Sequence, residues 1–344
     1  MKANFYELTF EELTNLMLEY GLERFRSKQI FHWIYNKKAT SFSEITTLKK
    51  EIRYFFDKEI GLNLPQLIKK DKQEDGTEKL LLLLNDKQTI ESVIIPAGRK
   101  TTLCVSSQIG CALGCTFCAT GKMGFIRNLT TDEIIGQILI ALFMIEHSRR
   151  LTNIVFMGMG EPLNNLDNIV KAIKIIKNEY GLNFSGKRIT ISTAGIVPKI
   201  YELSHKNLNV KLAISLNAAN NKKRTQIMPI NKKYPIKELI SAVRAFQKTT
   251  KWRITFEYVL LDGFNNNYKD AKELISLLGG ISCKVNLIPY NSISWSKFTA
   301  PSMNKVQEFA NWLYPYLPAV TIRQTRGDKI AGACGQLATK YNYD

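Results

Sequence analysis

The chain has 344 residues, of which 45% are hydrophobic and 10% aromatic, and it carries a net charge of +18 at pH 7. This size and apolar content predict a globular protein with one large domain and a smaller attachment, which excludes a disordered or fibrous chain. No apolar run approaches the ~20 residues of a membrane-spanning helix, and the first residues lack a basic-then-apolar export signal. We therefore expect a cytoplasmic protein with no membrane partner.

The positive charge is unevenly distributed along the chain. Residues 1–75 carry 13 Lys and Arg against 12 Asp and Glu, whereas residues 76–344 carry 35 against 18. Such an excess favours a polyanionic partner such as RNA, because each neutralised phosphate releases condensed counterions. A basic composition that serves only solubility explains the same charge equally well.

The N-terminal part of the chain predicts a small helical domain, which we place at residues 1–75. The polar stretch around residue 75 marks its end. Beyond that boundary, two apolar runs separated by the turn-prone Asn85-Asp86 predict a connecting β segment over residues 76–101. Three short amphipathic helices are predicted within the domain, at residues 9–21, 25–37 and 41–61.

Residues 102–344 predict an α/β core with a parallel sheet. Short β-rich runs alternate there with helical stretches, as in right-handed βαβ crossovers. Six or seven such units predict a partial or complete parallel β/α barrel behind the small N-terminal helical domain. The strands are predicted at 101–107, 151–158, 187–193, 210–216, 253–261, 283–291 and 319–325. The helices are predicted at 168–181, 197–206, 236–248, 269–280 and 306–317.

Three of the six cysteines lie together immediately after the first predicted core strand. Cys111, Cys115 and Cys118 have the spacing C-x3-C-x2-C on a glycine-flanked loop. Three thiolates in this pattern are typical of a 4Fe–4S cluster that leaves one iron open to another ligand, and parallel α/β folds carry reactive groups on loops at these strand ends. A structural zinc site is the alternative, although it would need a fourth Cys or His nearby. Three unrelated buried cysteines are the remaining interpretation.

The cysteine loop, with Phe117 before the third cysteine, resembles the hallmark of the radical S-adenosylmethionine (AdoMet) superfamily. Other motifs along nearly the whole chain resemble the RlmN/Cfr family of RNA methyltransferases within that superfamily, and its RlmN members most closely. These motifs are QIFHWIY, TGKMGFIRNLT, FMGMGEP, MPIN and the closing TRGDKIAGACGQLA.

The resemblance implies a binding site for AdoMet at the ends of the core strands. In the family, a motif like FMGMGEP binds the methionine amine, which here involves Gly160 and Glu161. Without the resemblance, these residues and the polar strand ends that follow would be turn formers and helix caps. Asn217 stands where family members often have His, and Asn266 where Asp is common. The remaining implied contacts are Ser192, Ser215, Leu216, Asn217 and Asn291.

The resemblance also assigns roles to two further cysteines and a glutamate. Cys334 would be methylated, Cys104 would form a transient disulfide with it, and Glu91 would remove a proton from the substrate base. On pattern alone, Cys104 is a small buried residue of an apolar strand, and Glu91 is a polar residue of an alternating strand. Cys334 instead lies in a glycine-rich tail, where a thiol could be exposed. Cys283 has no role in the family, and we expect it to pack in the core.

The implied reaction adds a methyl group to carbon 2 of adenosine in large-subunit (23S) ribosomal RNA and in the anticodon loop of certain tRNAs. One AdoMet would methylate Cys334, and a second would be cleaved to the radical that activates this methyl group, so each turnover uses two AdoMet. The implied partners are these RNAs, a one-electron reductase such as flavodoxin or ferredoxin, and a disulfide reductant. We expect a monomer whose N-terminal helices contact RNA.

Three other functions stay open at this point. A Cfr-like enzyme would methylate carbon 8 of the same kind of adenosine. A non-catalytic RNA-binding protein with a structural metal would bind zinc and would not consume AdoMet. A radical AdoMet activase acting on a protein would leave Cys334 and the positive charge unexplained.

Overall fold

The structure is a computed structural model that describes residues 3–145 and 150–339. Residues 1 and 2 of the predicted N-terminal domain and residues 340–344 of the predicted core lie outside the described residues.

The chain begins with a helical module around a cluster of aromatic rings that includes Phe5 and Phe31. The predicted helix 41–61 is interrupted, because the β-branched Thr46 and Thr47 lose rotamer freedom in a helix and the chain turns there before the third helix. The second helix continues through His32–Asn36 as a wider turn. The elements are β1 (Ala3–Asn4), α1 (Phe10–Glu19), α2 (Phe25–Phe31), α3 (Lys50–Glu59) and β2 (Ile60–Gly61).

Four strands then follow as an antiparallel meander: β3 (Gln66–Lys72), β4 (Glu78–Leu83), β5 (Thr89–Ala97) and β6 (Lys100–Cys104). Strand β3 was not predicted, because a polar, half-exposed strand has no apolar periodicity to reveal it. The predicted boundary near residue 75 lies in the turn between β3 and β4. A division of the chain at this position therefore stays a prediction.

The core alternates strands with helices, as predicted. Helix α5 was not predicted, because it is apolar on nearly all sides and so lacks an amphipathic period. The elements are β7 (Gln108–Gly110), α4 (Ala119–Lys122), β8 (Phe125–Asn128), α5 (Thr131–Met144), β9 (Asn153–Phe156), α6 (Leu166–Lys177), β10 (Ile189–Thr193), α7 (Val197–Ser204), β11 (Lys211–Ser215), α8 (Asn221–Ile227), α9 (Ile236–Gln247), β12 (Ile254–Leu260), α10 (Tyr268–Leu278), β13 (Cys283–Pro289), α11 (Met303–Leu313) and β14 (Val320–Ile322).

Within the described ranges, one ten-stranded sheet runs through the molecule in the order β14-β13-β12-β11-β10-β9-β6-β5-β4-β3. The strands from β6 through β9 to β14 are parallel to one another, and the meander extends the sheet beyond β6. The sheet has β14 at one edge and β3 at the other, so the predicted β/α barrel is partial. The parallel α/β class is confirmed.

Residues 323–339, which we call the C-terminal tail, cross from β14 back to the opposite edge of the sheet. The amide of Gly327 donates to the Asp75 carboxylate at 3.3 Å, and the amide of Lys329 donates to the Gln73 side chain at 3.1 Å. The tail therefore bridges the two edges of the open sheet. Among the described residues, no helix combines the length and apolar character needed to cross a bilayer.

Candidate active site

The C-terminal ends of the parallel strands surround one cavity that the C-terminal tail partly covers. It contains about 1060 Å³ of space, part of it open to solvent. Most of the predicted site residues line this cavity, namely Cys104, Cys111, Cys115, Cys118, Gly160, Glu161, Ser192, Ser215, Asn217 and Cys334. Glu91, Leu216 and Asn291 lie near it but outside its wall.

The three-cysteine loop leaves β7 through Gly110, which has a φ of +71°. A Cβ atom at this position would lie 1.9 Å from the carbonyl oxygen of Gly124, so only glycine fits there. This close approach of the two backbone segments allows a hydrogen bond, in which the amide of Cys111 donates to the same oxygen at 2.7 Å. The crossing of these two backbone segments fixes the start of the loop.

The thiols of Cys111, Cys115 and Cys118 all face the cavity and are free of disulfides. Burial raises the pKa of Cys111 to about 12 and also raises the pKa of the other two thiols. Such thiols become thiolates only with a cation beside them, which iron provides. Within the described residues, no group of three or more His, Cys, Asp or Glu is arranged to hold a metal ion. A cubane cluster instead takes each thiolate on a separate iron, so three thiols around one cavity fit it.

Gly160 and Glu161 follow β9 at the cavity wall. Gly160 has a φ of +98°, and a Cβ atom there would lie 2.5 Å from Cβ of Gln108, so only glycine lets the chain pass this close to β7. Glu161 is buried, and its carboxylate accepts the backbone amides of Leu163 at 3.0 Å and Ala194 at 2.7 Å. Burial raises the pKa of Glu161, and these hydrogen bonds oppose the rise.

The serines and Asn217 at the following strand ends line the same cavity. Asn217 has a φ of +58°, a conformation that asparagine tolerates better than most residues. Its side-chain oxygen accepts the amide of Val259 at 2.9 Å, and its amide group contacts the sulfur of Met228 at 3.2 Å. Leu216 is fully buried and contributes its backbone, because its carbonyl accepts a hydrogen bond from Arg224.

The two remaining cysteines of interest meet at the same cavity from distant parts of the chain. Cys104 ends β6, and burial raises its pKa to about 12. Cys334 is half-buried in the tail, where the side-chain amide of Asn291 donates to its carbonyl oxygen at 3.1 Å. Asn291 therefore holds the tail in this structure. Cys283 is fully buried in β13, as predicted.

Glu91 is buried on β5 beside the tail. Its Oε1 atom pairs with the ammonium of Lys79 at 3.0 Å, and its Oε2 atom accepts the backbone amide of Ala338 at 3.0 Å. Burial raises the pKa of Glu91, although Lys79 opposes the rise. Glu91 thus holds the end of the tail against the sheet.

The sequence patterns did not single out Arg323 and Glu257, which also line the cavity. Burial alone would lower the pKa of Arg323, but the nearby Cys334, Glu257 and Cys104 together raise it. In return, the Arg323 charge opposes the burial-driven rise in the pKa of both cysteines. The only signal of this position in the sequence is the place of Arg323 near the end of a predicted strand, which is weak in a chain with many basic residues.

The chain is similar to known proteins along nearly its whole length. Residues 105–277 match the Radical SAM superfamily, and residues 3–59 match the Ribosomal RNA large subunit methyltransferase N-terminal domain. The protein is 43% identical to the dual-specificity RNA methyltransferase RlmN of Syntrophobacter fumaroxidans, over 97% of this chain and 98% of that protein. It is 44% identical to the protein of the same name from Geobacter sulfurreducens, over 97% and 91% of the two chains.

A solved structure agrees with these sequence matches. The crystal structure of a radical SAM methyltransferase from Sphaerobacter thermophilus superposes with a TM-score of 0.92 at 42% identity, covering 97% of this chain and 99% of that one. Both the core and the N-terminal module are thus shared with known proteins. The chain therefore belongs to the radical SAM superfamily and, within it, to the RlmN family.

Proposed function

We propose that this chain methylates carbon 2 of adenosine in 23S ribosomal RNA and in the anticodon loop of certain tRNAs. The observation that carries the proposal is that Cys334 and Cys104 line the same cavity as the three-cysteine loop. Generation of a radical requires only the loop. Transfer of a methyl group through a methylated cysteine requires one further thiol as carrier and another to release the product.

Membership of the superfamily implies AdoMet and a 4Fe–4S cluster. In our proposal, the thiolates of Cys111, Cys115 and Cys118 hold that cluster, which supplies the electron that cleaves AdoMet to a 5'-deoxyadenosyl radical. Gly110 orients the loop, and the backbone contact between Cys111 and Gly124 keeps it in place. The surrounding apolar residues exclude water from the reacting atoms.

The AdoMet contacts follow from the free hydrogen-bonding capacity of the wall. Glu161 accepts two backbone amides and a hydrogen bond from the Thr193 side chain, and a carboxylate has roughly four lone-pair sites, so capacity remains for the ammonium group of AdoMet. Ser192 and Ser215 line the same cavity and carry hydroxyl groups that can bind AdoMet. The side-chain oxygen of Asn217 is engaged by Val259. We therefore propose that Asn217 holds the strand ends together and also contacts AdoMet.

Cys334 carries the methyl group in two stages. Its thiolate first attacks the methyl carbon of one AdoMet and displaces S-adenosylhomocysteine, and Arg323 favours that thiolate. A second AdoMet supplies the radical that takes one hydrogen atom from the S-methyl group, and the remaining methylene radical bonds to carbon 2. This adduct loses the carbon-2 proton to Glu91 and one electron to the one-electron carrier that the reaction uses. The Cys104 thiolate then attacks the Cys334 sulfur and forms a disulfide, and the methylene carbon that leaves takes up one proton to become the new methyl group. An external dithiol returns both cysteines to thiols with two electrons.

Glu91 is the proposed acceptor of the proton that leaves carbon 2. Its carboxylate accepts the amide of Ala338, on the tail that carries Cys334, and we propose that both groups face the same side of the substrate base. In this structure the carboxylate is engaged by Lys79 and Ala338. We therefore propose that Glu91 acts once the end of the tail has moved.

The RNA surface is proposed at the cavity mouth. Trp295 lies in the loop after β13 and is 40% exposed, and the Lys122 ammonium lies 4.9 Å from its ring centre. An exposed aromatic ring beside a cation suits a stacked base and its phosphate. A base atom must leave its stack to be modified, so looped RNA is the natural substrate. Such substrates, and the reductase and dithiol that the reaction needs, fit a monomer acting in the cytoplasm.

Nucleoside mass spectrometry tests the proposal. The protein is loaded anaerobically with iron and sulfide, reduced, and incubated with AdoMet and a 23S ribosomal RNA fragment, with the Cys334→Ala variant as control. We expect 2-methyladenosine with the unchanged protein and none with the variant. The appearance of 8-methyladenosine instead, or of methylated RNA with the variant, would overturn the proposal.

A further inference from the structure

Arg224 is a fully buried arginine that the proposed reaction does not yet use. It lies on α8 and has no exposed surface, although most of its neighbours in that helix are polar and at least partly exposed. Burial lowers its pKa to about 10, which leaves the guanidinium charged at neutral pH. A charged group in such surroundings is costly unless another charge compensates it.

The hydrogen-bond partners of Arg224 do not supply that compensating charge. In the described part of the chain, no carboxylate lies within ion-pair distance of the guanidinium, and its partners are all neutral oxygens. They are the carbonyls of Leu216 at 3.1 Å, Ala194 at 2.6 Å and Ser215 at 3.2 Å, and the side-chain oxygen of Asn231 at 3.0 Å. The guanidinium is thus rigidly held and electrically uncompensated.

The same helix is attached to the three-cysteine loop. The amide of Thr116 donates to the carbonyl oxygen of Ile227, at the end of α8, at 3.0 Å. Ile227 belongs to the apolar cluster into which Cys115 packs. The positive charge of Arg224 also opposes the rise that burial causes in the pKa of Cys115. The guanidinium therefore lies within electrostatic range of the loop.

We propose that Arg224 is a positioning residue that supplies the counter-charge of the iron–sulfur cluster and makes its reduction more favourable. The inference rests on the proposed assignment of Cys111, Cys115 and Cys118 as cluster ligands. Three thiolates give the occupied site a net negative charge, and the one electron delivered by the reductase adds one further negative charge. A fixed cation in a water-poor region stabilises the reduced form more than the oxidised form.

The reduction potential of the cluster, measured without AdoMet by a titration monitored by electron paramagnetic resonance, tests this role. In Arg224→Gln, we expect the ratio of reduced to oxidised cluster at a fixed potential to fall at least tenfold, which is about 59 mV for a one-electron couple. Arg224→Lys keeps the charge and should retain most of the wild-type potential. Arg244→Gln removes an exposed charge from α9 and should leave the potential unchanged.

Arg224→Gln leaves several buried carbonyls unpaired, so a second variant guards against misfolding. Asn231→Asp keeps the side-chain size and places a carboxylate against the guanidinium, which should cancel the charge and lower the potential in the same direction. An unchanged potential in Arg224→Gln, or in Asn231→Asp if the first variant does not fold, overturns the role of Arg224 while the proposed function stands. A wild-type protein that binds no 4Fe–4S cluster overturns the ligand assignment and this inference with it.

Discussion

The backbone amide of Ala338 donates a hydrogen bond of 3.0 Å to the carboxylate of Glu91, so the C-terminal tail is fastened to the residue proposed as the base. Lys79 engages the other carboxylate oxygen. Because Cys334 lies on the same tail, release of Ala338 would both free Glu91 and allow the thiol to move. We expect the position of the tail to couple methyl delivery to proton removal.

The first prediction concerns the pH dependence of RNA methylation. Burial raises the pKa of Glu91 above its usual value, and a base acts only when deprotonated. The methylation rate should therefore rise as the pH increases through this raised pKa. At pH values below that pKa, the carboxyl group is protonated and the rate should be low. Glu91→Gln should lower the rate by roughly 10²-fold or more, whereas Glu23→Gln at the surface should not. A Glu91→Gln variant with the wild-type rate and pH profile would exclude Glu91 as the base.

The second prediction concerns release of the product. Without the Cys104 thiol, no disulfide can form, so the methylene carbon should stay bonded to both the Cys334 sulfur and the RNA base. Cys104→Ala should accumulate a protein–RNA adduct that survives denaturation, which is visible on a denaturing gel. Cys283→Ala is the matched control, because Cys283 is also buried in a strand. This variant should release the methylated RNA normally. Full turnover by Cys104→Ala would remove the proposed disulfide step.

The third prediction concerns the start of the cysteine loop. An alanine at Gly110 would bring its Cβ atom 1.9 Å from the Gly124 carbonyl oxygen, so the loop must move. We expect Gly110→Ala to lose iron binding and to lower the free energy of unfolding by more than the ~1–3 kcal/mol of backbone strain alone. Gly98→Ala shares a positive φ of +55° but meets no atom within 4 Å, so it should retain iron. Iron content and denaturant unfolding measure both effects, and equal behaviour of the two variants would refute this geometry.

The fourth prediction concerns the RNA surface. Stacking of a base on an aromatic ring contributes ~1–3 kcal/mol, so Trp295→Ala should weaken RNA binding roughly tenfold. Trp252→Ala is the matched control, because the Lys251 ammonium also lies near its ring, at 5.2 Å, yet Trp252 precedes β12 and so lies away from the cavity mouth. Binding measured at a fixed salt concentration compares them. Equal losses of RNA affinity in the two variants would show that the RNA does not bind at Trp295.

Much of the cavity wall was predictable from the sequence. The polar residues Ser192 and Ser215 end successive apolar runs, and parallel strands bring their carboxyl ends to one side of a sheet. The spacing of the cysteine loop carried its own chemical signal. Local patterns of this kind do not depend on tertiary contacts, so these residues could be predicted from the sequence alone.

Other parts of the site depend on contacts that no local pattern encodes. Arg224 and Arg323 lie in basic segments, where an arginine is expected to be exposed, and only the fold shows that one is buried and the other faces the cavity. The attachment of Gly327 to Asp75 joins residues 252 positions apart. The hydrogen bond between Glu91 and Ala338 likewise depends on the path of the tail. Such long-range pairs emerge only when the chain has folded.

The central claim is that Cys334 carries the methyl group, and intact-mass spectrometry after anaerobic loading with iron and sulfide and incubation with AdoMet tests it most directly. We predict that the wild-type protein gains the mass of one methyl group, that peptide mapping places it on Cys334, and that Cys334→Ala gains none. A methyl adduct that persists in Cys334→Ala would contradict the account.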